Sequence, residues 1–255
     1  MIEDLPAPRE APNVFARACA VFFGRGYTLI GVAALVFVPW YFFRSSISQW
    51  EAAHLSHLSN LTWGPWAKVA WGFAVQFISR LLTAMVVVLV ALGARQVVND
   101  LPIDVRANLH VISARWLPLL GVTFLWTIVS EALDLYVWPV LIIPLWITAP
   151  GISADAVGVV RSLIFLGTSW SLLTVLFGGR SAIQGFLGGL LGPWQLRSRS
   201  LLIVLTFLAA HFAQRSISSS LHSAVINLTT TARGLLEALF VTFLTILLSV
   251  VYLEQ

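Results

Sequence analysis

The chain has 255 residues, of which 58% are hydrophobic and only 10% are charged. Soluble domains average about 45–50% apolar and about 25% charged residues, so this composition excludes an ordinary water-soluble protein and predicts an integral membrane protein. The net charge of +4 comes from fourteen arginines and Lys68. Because these residues flank apolar segments instead of forming one patch, we expect no nucleic-acid partner.

The N-terminal residues 1–12 form a polar tail that is acidic and rich in proline. After it, an arginine-bearing amphipathic stretch precedes an apolar segment three times along the chain. These stretches are residues 13–26, 101–115 and 179–199. We expect each of them to form a helix at the cytoplasmic surface that leads into a membrane-spanning helix.

Six apolar segments approach the roughly 20 residues that a helix needs to cross about 30 Å of hydrocarbon. They are residues 27–43, 69–93, 116–134, 157–177, 201–215 and 235–252. Residues 135–150 contain three prolines, which predicts a re-entrant or interfacial segment and not a seventh helix. The predicted fold is a single all-α domain over residues 1–255, with six spans in three hairpins.

The distribution of basic residues predicts which side of the six spans faces the cytoplasm. Nine arginines fall on one side of the six spans, against three arginines and Lys68 on the other side. Loops rich in arginine and lysine stay in the cytoplasm, so we expect both termini there and place the protein in a bacterial inner membrane.

Charged residues inside the spans predict a polar layer. Arg80 lies fifteen residues before Arg95, and Glu131 lies fifteen residues after Trp116. At 1.5 Å per residue, both lie about 22 Å from the same face, and Asp134 follows one turn beyond Glu131. An unpaired charge in lipid is costly, so we expect Arg80 to pair with Glu131, Asp134 or both.

Arg161 and Glu237 show a similar match near the outer ends of the fourth and sixth spans. Equal depth lets them pair or line one polar pocket. Two interpretations remain open at this point. The layer formed by Arg80, Glu131, Asp134, Arg161 and Glu237 is either a structural clamp between helices or a cavity for a lipid headgroup or an ion.

Histidines offer only weak ligand candidates. His54 and His57 share one helix face, but apart from Glu51 no nearby residue completes a metal site, so surface histidines are the simpler interpretation. His211 lies at membrane depth and could bind a haem or chlorophyll axially, although a lone helical histidine is more often a packing residue. We predict no metal and no cofactor.

Catalytic patterns are equally weak. Ser169 in the fourth span could act as a nucleophile with His211 as its base, but hydroxyl groups in spans usually bond to the backbone or to a neighbouring helix. The single cysteine, Cys19, lies among alanine and phenylalanine. The sequence therefore predicts a protein that is not an enzyme.

Glycines at 185, 188, 189 and 192 give two overlapping small-xxx-small spacings in the third amphipathic stretch. Such spacing allows two helix backbones to approach closely. We expect this stretch to pack tightly against a neighbouring helix.

Three segments resemble a group of bacterial six-helix membrane proteins related to the membrane domain of glycerophosphoryl diester phosphodiesterases. They are NVFARACAVFFGRGYTLIGVAALVFVPW, Pro150-Gly151, and GGRSAIQGFLGGLLGPWQLRSRS. The resemblance implies the six-helix architecture. It implies no hydrolase activity, because a soluble barrel with acidic metal ligands has no counterpart in this sequence.

Two functional classes follow. The first is a non-enzymatic scaffold or accessory subunit that contacts membrane lipids and either a protein partner or a second copy of itself. The alternative is a transporter or lipid-handling protein that uses the charged layer as its binding site. A water-filled cavity that reaches Arg80 would favour the alternative, whereas a dry, paired clamp would favour the scaffold.

Overall fold

A computed structural model describes residues 14–54, 64–134, 150–195, 203–210, 212–213, 217 and 226–254. All regular structure in these ranges is helical, which confirms the all-α prediction. The helices are α1 (Val14–His54), α2 (Gly64–Val98), α3 (Val105–Ala114), α4 (Trp116–Ala132), α5 (Pro150–Gly178), α6 (Ala182–Gln195), α7 (203–210) and α8 (Ile226–Leu253).

Four helices, α1, α2, α5 and α8, are long and apolar enough to cross a membrane. The pair α3 and α4 forms a fifth candidate, with a bend of 74° between them. The protein is therefore a helical membrane protein with four or five candidate spans among its described residues. The predicted span 201–215 falls partly outside those residues, and so does most of the segment 135–150.

The first amphipathic stretch differs from its prediction. Residues 14–54 form one continuous helix, so residues 14–26 are not a separate surface helix, and His54 is the last residue of α1. No proline interrupts the stretch, and its apolar face has a partner within the bundle. Ala18 and Val21 are buried, and the ring of Phe22 lies 5.3 Å from that of Phe243 on α8.

The second amphipathic stretch forms a separate helix, as predicted. The chain turns sharply at Arg115, between α3 and α4. Asp104 caps α3 by accepting a hydrogen bond from the Ala107 amide at 3.0 Å. Gln96 Oε1 at the end of α2 accepts hydrogen bonds from the Asp104 amide and from the Asn108 side chain, which fixes α3 against α2.

The third stretch forms α6, which is apolar along its length. Its glycines pack against α5, as predicted: a Cβ at Gly189 would overlap Ser171 Oγ and the Gly167 carbonyl. The opposite face exposes large apolar side chains. They are Ile183, Leu187, Leu190, Leu191 and Trp194. Because that exposed face is apolar, α6 is suited to contact lipid, in contrast to the amphipathic α3.

Several helix ends meet at one end of the bundle, which we call the basic end. Arg95, near the end of α2, lies over the ring of Phe177 near the end of α5, at 5.3 Å. The ring of Phe177 lies 5.9 Å from that of Tyr252 near the end of α8. Arg17 near the start of α1 forms a salt bridge of 3.2 Å with Glu254. The start of α1 and the ends of α2, α5 and α8 therefore share one side.

Candidate functional site: an intramembrane polar cavity

A cavity of about 140 Å³ lies between α2, α5 and α8. At about 30 Å³ per molecule, this volume corresponds to roughly four or five waters. Its polar lining consists of Arg80 and Thr83 from α2, Arg161, Thr168 and Ser169 from α5, and Glu237 from α8. The structure thus brings together Arg80, Arg161 and Glu237, three of the five residues of the predicted charged layer.

The three charged lining residues lie at similar depth. Arg80 is 18 residues before Val98, Arg161 is 17 before Gly178, and Glu237 is 16 before Leu253. Since these helix ends meet at the basic end, a rise of 1.5 Å per residue places all three side chains about 24–27 Å from it. In a hydrocarbon layer of about 30 Å that begins at the basic end, this depth would lie inside the layer, close to its far side.

Arg80 reaches α4 through Ser130, whose hydroxyl oxygen accepts a hydrogen bond from the Arg80 guanidinium. Ser130 immediately precedes Glu131, and both Glu131 and Asp134 attract Arg80 electrostatically. The two carboxylates therefore act on Arg80 from the end of α4 and the residues just after it, whereas neither lines the cavity. Direct ion pairing of Arg80 with either carboxylate stays a prediction.

Two polar atoms in the cavity lining are buried without a partner. Arg80 Nε and Ser169 Oγ have no hydrogen bond within the described part of the chain. A buried donor without a partner costs about 1–3 kcal/mol, and more for a charged group. Such atoms are unusual in native proteins and commonly mark bound water, an ion or a ligand.

Glu237 is fixed from a fourth helix. The Tyr41 hydroxyl of α1 donates a hydrogen bond to the Glu237 carboxylate, and Arg233 lies within electrostatic range of Tyr41. Sequence reasoning missed Tyr41, although its position near the outer end of the first predicted span matches the depth of the charged layer. A depth count that included hydroxyl groups would have found it.

The histidine candidates gain no support as ligands. His54 stacks on Trp50, with ring centroids 4.9 Å apart, while Glu51 accepts a hydrogen bond from Trp71 at 2.7 Å. His57 and His211 lie outside the described residues, and the described residues contain no group of three potential metal ligands.

Ser171, one turn from the cavity, has a structural role. It accepts a hydrogen bond from the Trp126 indole and donates one to the Gly167 carbonyl, each at 2.8 Å. This cluster joins α4 to α5 beneath the glycines of α6. Ser169, by contrast, faces the cavity, but the only histidine considered as its base lies outside the described residues.

Fold and cavity together define a class: a helical membrane protein with a charged cavity between its helices. No protein-family model, curated protein or solved structure matches this chain. The resemblance to the membrane domain of glycerophosphoryl diester phosphodiesterases therefore stays a prediction, and function has to be argued from the cavity.

Proposed function

We propose that this protein binds a polar ligand within the membrane, as a transporter or a lipid-handling protein. The observation that carries the proposal is the cavity lined by Arg80, Arg161 and Glu237, together with the two unpartnered atoms Arg80 Nε and Ser169 Oγ. A clamp that serves only stability would use these groups on one another. Charged groups placed at membrane depth around open space are typical of substrate and ion pathways.

A six-span topology supports this use of the cavity. The basic end holds the start of α1 and the ends of α2, α5 and α8, so α1 and α4 run away from it. Helix α6 begins near the basic end and runs back along α5, because a Cβ at Gly185 would meet Val175 and one at Gly192 would meet Trp170. We assign the return crossing toward the start of α8 to α6 together with the region of α7, which brings the count to six.

Orientation follows from charge. Arg17, Arg25, Arg95 and Arg115 lie at the basic end, which we place in the cytoplasm of a bacterial cell. An alkaline phosphatase fused after Gln255 is expected to be inactive and a fluorescent protein at the same position to fluoresce. An active phosphatase fusion would reverse the orientation.

Solvation of the cavity tests the proposed function. In a Cys19→Ala protein, Ser169→Cys should react with a small charged methanethiosulfonate, because a binding cavity has to admit water. Ser249→Cys is the matched control, since Ser249 is as buried as Ser169 but lies outside the cavity lining and donates a hydrogen bond to the Thr245 carbonyl at 2.7 Å. A folded Ser169→Cys variant that does not react would favour a dry clamp.

A scaffold or accessory subunit is the second candidate. The exposed apolar face of α6 supports it, because such a face can be covered by a protein partner or a second copy as well as by lipid. Purification in a mild detergent distinguishes the two. A stoichiometric partner, lost in Leu187→Gln and Leu191→Gln variants, would favour the scaffold.

A further inference from the structure

We infer that the ligand of this cavity carries an oxyanion, a phosphate or carboxylate group, held by Arg80, Arg161 and the Ser169 hydroxyl. The inference rests on the proposed function, because it names the chemistry of the same site. It depends on three properties of the described residues: unused donors, the balance of charge and the available space.

Arg80 has an unused hydrogen-bond donor within the described structure. A guanidinium carries five N–H donors in a planar fork that matches the two oxygens of a carboxylate or phosphate. Ser130 accepts one hydrogen bond from it, and Nε, which is buried, has no partner among the described residues. A guanidinium that is held by one hydrogen bond and keeps a buried donor unused is suited to hold an oxyanion.

Ser169 differs from the other hydroxyl residues of α5 whose side chains the structure describes. Ser162, Thr168, Ser171 and Thr174 each donate to the carbonyl four residues earlier, at 2.7–3.0 Å. Ser169 is 1% exposed, belongs to the cavity lining and has no such bond in the described structure. Its hydroxyl is therefore a buried donor without a partner among the described residues, beside the cavity.

The cavity lining itself carries a net positive charge. It contains two guanidiniums and one carboxylate, and Arg161 repels Arg80 electrostatically, whereas Glu131 and Asp134 attract Arg80 from outside the lining. The Glu237 carboxylate already accepts a hydrogen bond from Tyr41. Because electrostatic interactions strengthen away from water, a single negative charge between the two guanidiniums would relieve their repulsion and balance the lining.

The volume of the cavity suits a small chemical group. A volume near 140 Å³ admits a phosphate or a carboxylate with a few waters, but not a nucleotide. Arg161 is exposed whereas Ser169 is buried, so the cavity runs inward from the surface of the bundle. An apolar groove of about 200 Å³ between α2, α3 and α4 shares Ala84 with the cavity. A soluble ion and a lipid headgroup both carry such an oxyanion, and for a lipid we propose that groove as the place of the chain.

Calorimetric titration of delipidated protein in detergent tests the inference. The probes are inorganic phosphate, acetate and the short-chain lipid dihexanoyl phosphatidate, with tetramethylammonium chloride at equal ionic strength as the cation control. We expect at least one oxyanion to bind and the cation not to bind. Arg161→Gln should weaken that binding roughly tenfold to a hundredfold, because it removes a charged hydrogen-bond donor.

Three further variants are compared with Arg161→Gln in the same titration. Arg180→Gln removes an exposed arginine outside the cavity and should leave the affinity unchanged. Arg80→Gln should abolish binding; if it does not fold, Arg161→Gln decides, since Arg161 is exposed. Leu120→Trp, which fills the apolar groove, should weaken phosphatidate alone if the natural ligand is a lipid, and should affect no probe if the ligand is a soluble ion.

Failures of the two proposals are distinguishable. If Ser169→Cys reacts with thiosulfonates but no oxyanion binds, or if the cation binds equally well, the oxyanion inference is overturned while a polar site remains. If Ser169→Cys does not react and no probe binds, both proposals fail. Equal weakening by Arg161→Gln and Arg180→Gln would also overturn the inference, because it would show a nonspecific effect of net charge.

Discussion

Arginines at the basic end and arginines in the cavity are used differently. At the basic end, Arg115 donates to the carbonyls of Val175 and Leu176 at 2.7 and 2.8 Å, and Arg25 donates to the Leu101 carbonyl at 3.1 Å. In the cavity, the buried Nε of Arg80 has no partner within the described residues. Residues of one type thus stabilise the helix ends in one region and leave donors unused in the other.

Whether the hydrogen-bond donors of an arginine are used distinguishes a structural residue from a functional one better than its depth in the membrane does. Arg115 satisfies carbonyls that the end of α5 leaves open, a task that any helix end requires. Arg80 and Ser169 leave donors open at a depth where lipid offers no replacement. The comparison can be tested by changing one region at a time.

The largest expected effect is that of Arg115→Ala. Removing two charged hydrogen bonds to the end of α5 should lower the free energy of unfolding by about 3 kcal/mol or more. Thermal unfolding in detergent measures it. Arg106→Ala, which changes an exposed arginine of α3, serves as the control and should cost less than about 0.5 kcal/mol. An equal decrease in the free energy of unfolding in the two variants would contradict a structural role of Arg115.

A substitution at the contact between α5 and α6 should have the second largest effect on stability. Gly189→Ala places a methyl group against Ser171 and the Gly167 carbonyl, which should cost about 1–3 kcal/mol through overpacking. The matched change Gly72→Ala has open space around it and should be neutral or stabilising by up to about 1 kcal/mol. A tolerated Gly189→Ala would show that α6 does not pack as closely as described.

Arg80→Gln should have a smaller effect on stability than Arg115→Ala. It replaces one charged hydrogen bond to Ser130, worth about 1.5–3 kcal/mol, by a neutral one worth about 0.5–1.5 kcal/mol. The same thermal unfolding assay, on delipidated protein, measures it. A decrease in the free energy of unfolding as large as that of Arg115→Ala would show that Arg80 has a structural role, and it would contradict the difference proposed between the two regions.

The smallest expected effect is that of Arg17→Gln. The salt bridge with Glu254 has side chains that are 39% and 22% exposed, so solvent screens it and its loss should cost less than about 1 kcal/mol. Unfolding measured at low and at high salt checks this, since the difference from the unchanged protein should shrink as salt rises. A salt-independent loss of several kcal/mol would show that the pair is buried within a larger assembly.

Much of the charged layer could be predicted from the sequence. Counting residues from the basic flanks placed Arg80 level with Glu131, and Arg161 roughly level with Glu237, because helical rise is constant. The count could not find Ser169, since a hydroxyl group that faces a cavity and one that bonds to its own helix have the same sequence signature. The sequence prediction wrongly separated residues 13–26 from the first span, because whether an amphipathic stretch bends depends on the packing partner that it finds.

Charge selectivity inside the cavity is the most direct test of this account. The measurement compares the rates at which anionic and cationic ethyl methanethiosulfonates modify Ser169→Cys in a Cys19→Ala protein, each divided by the rate with a free thiol. Two guanidiniums around the thiol should favour the anionic reagent by roughly tenfold, which corresponds to about 1.4 kcal/mol of attraction. Equal rates, or a preference for the cationic reagent, would contradict an anion-binding cavity between α2, α5 and α8.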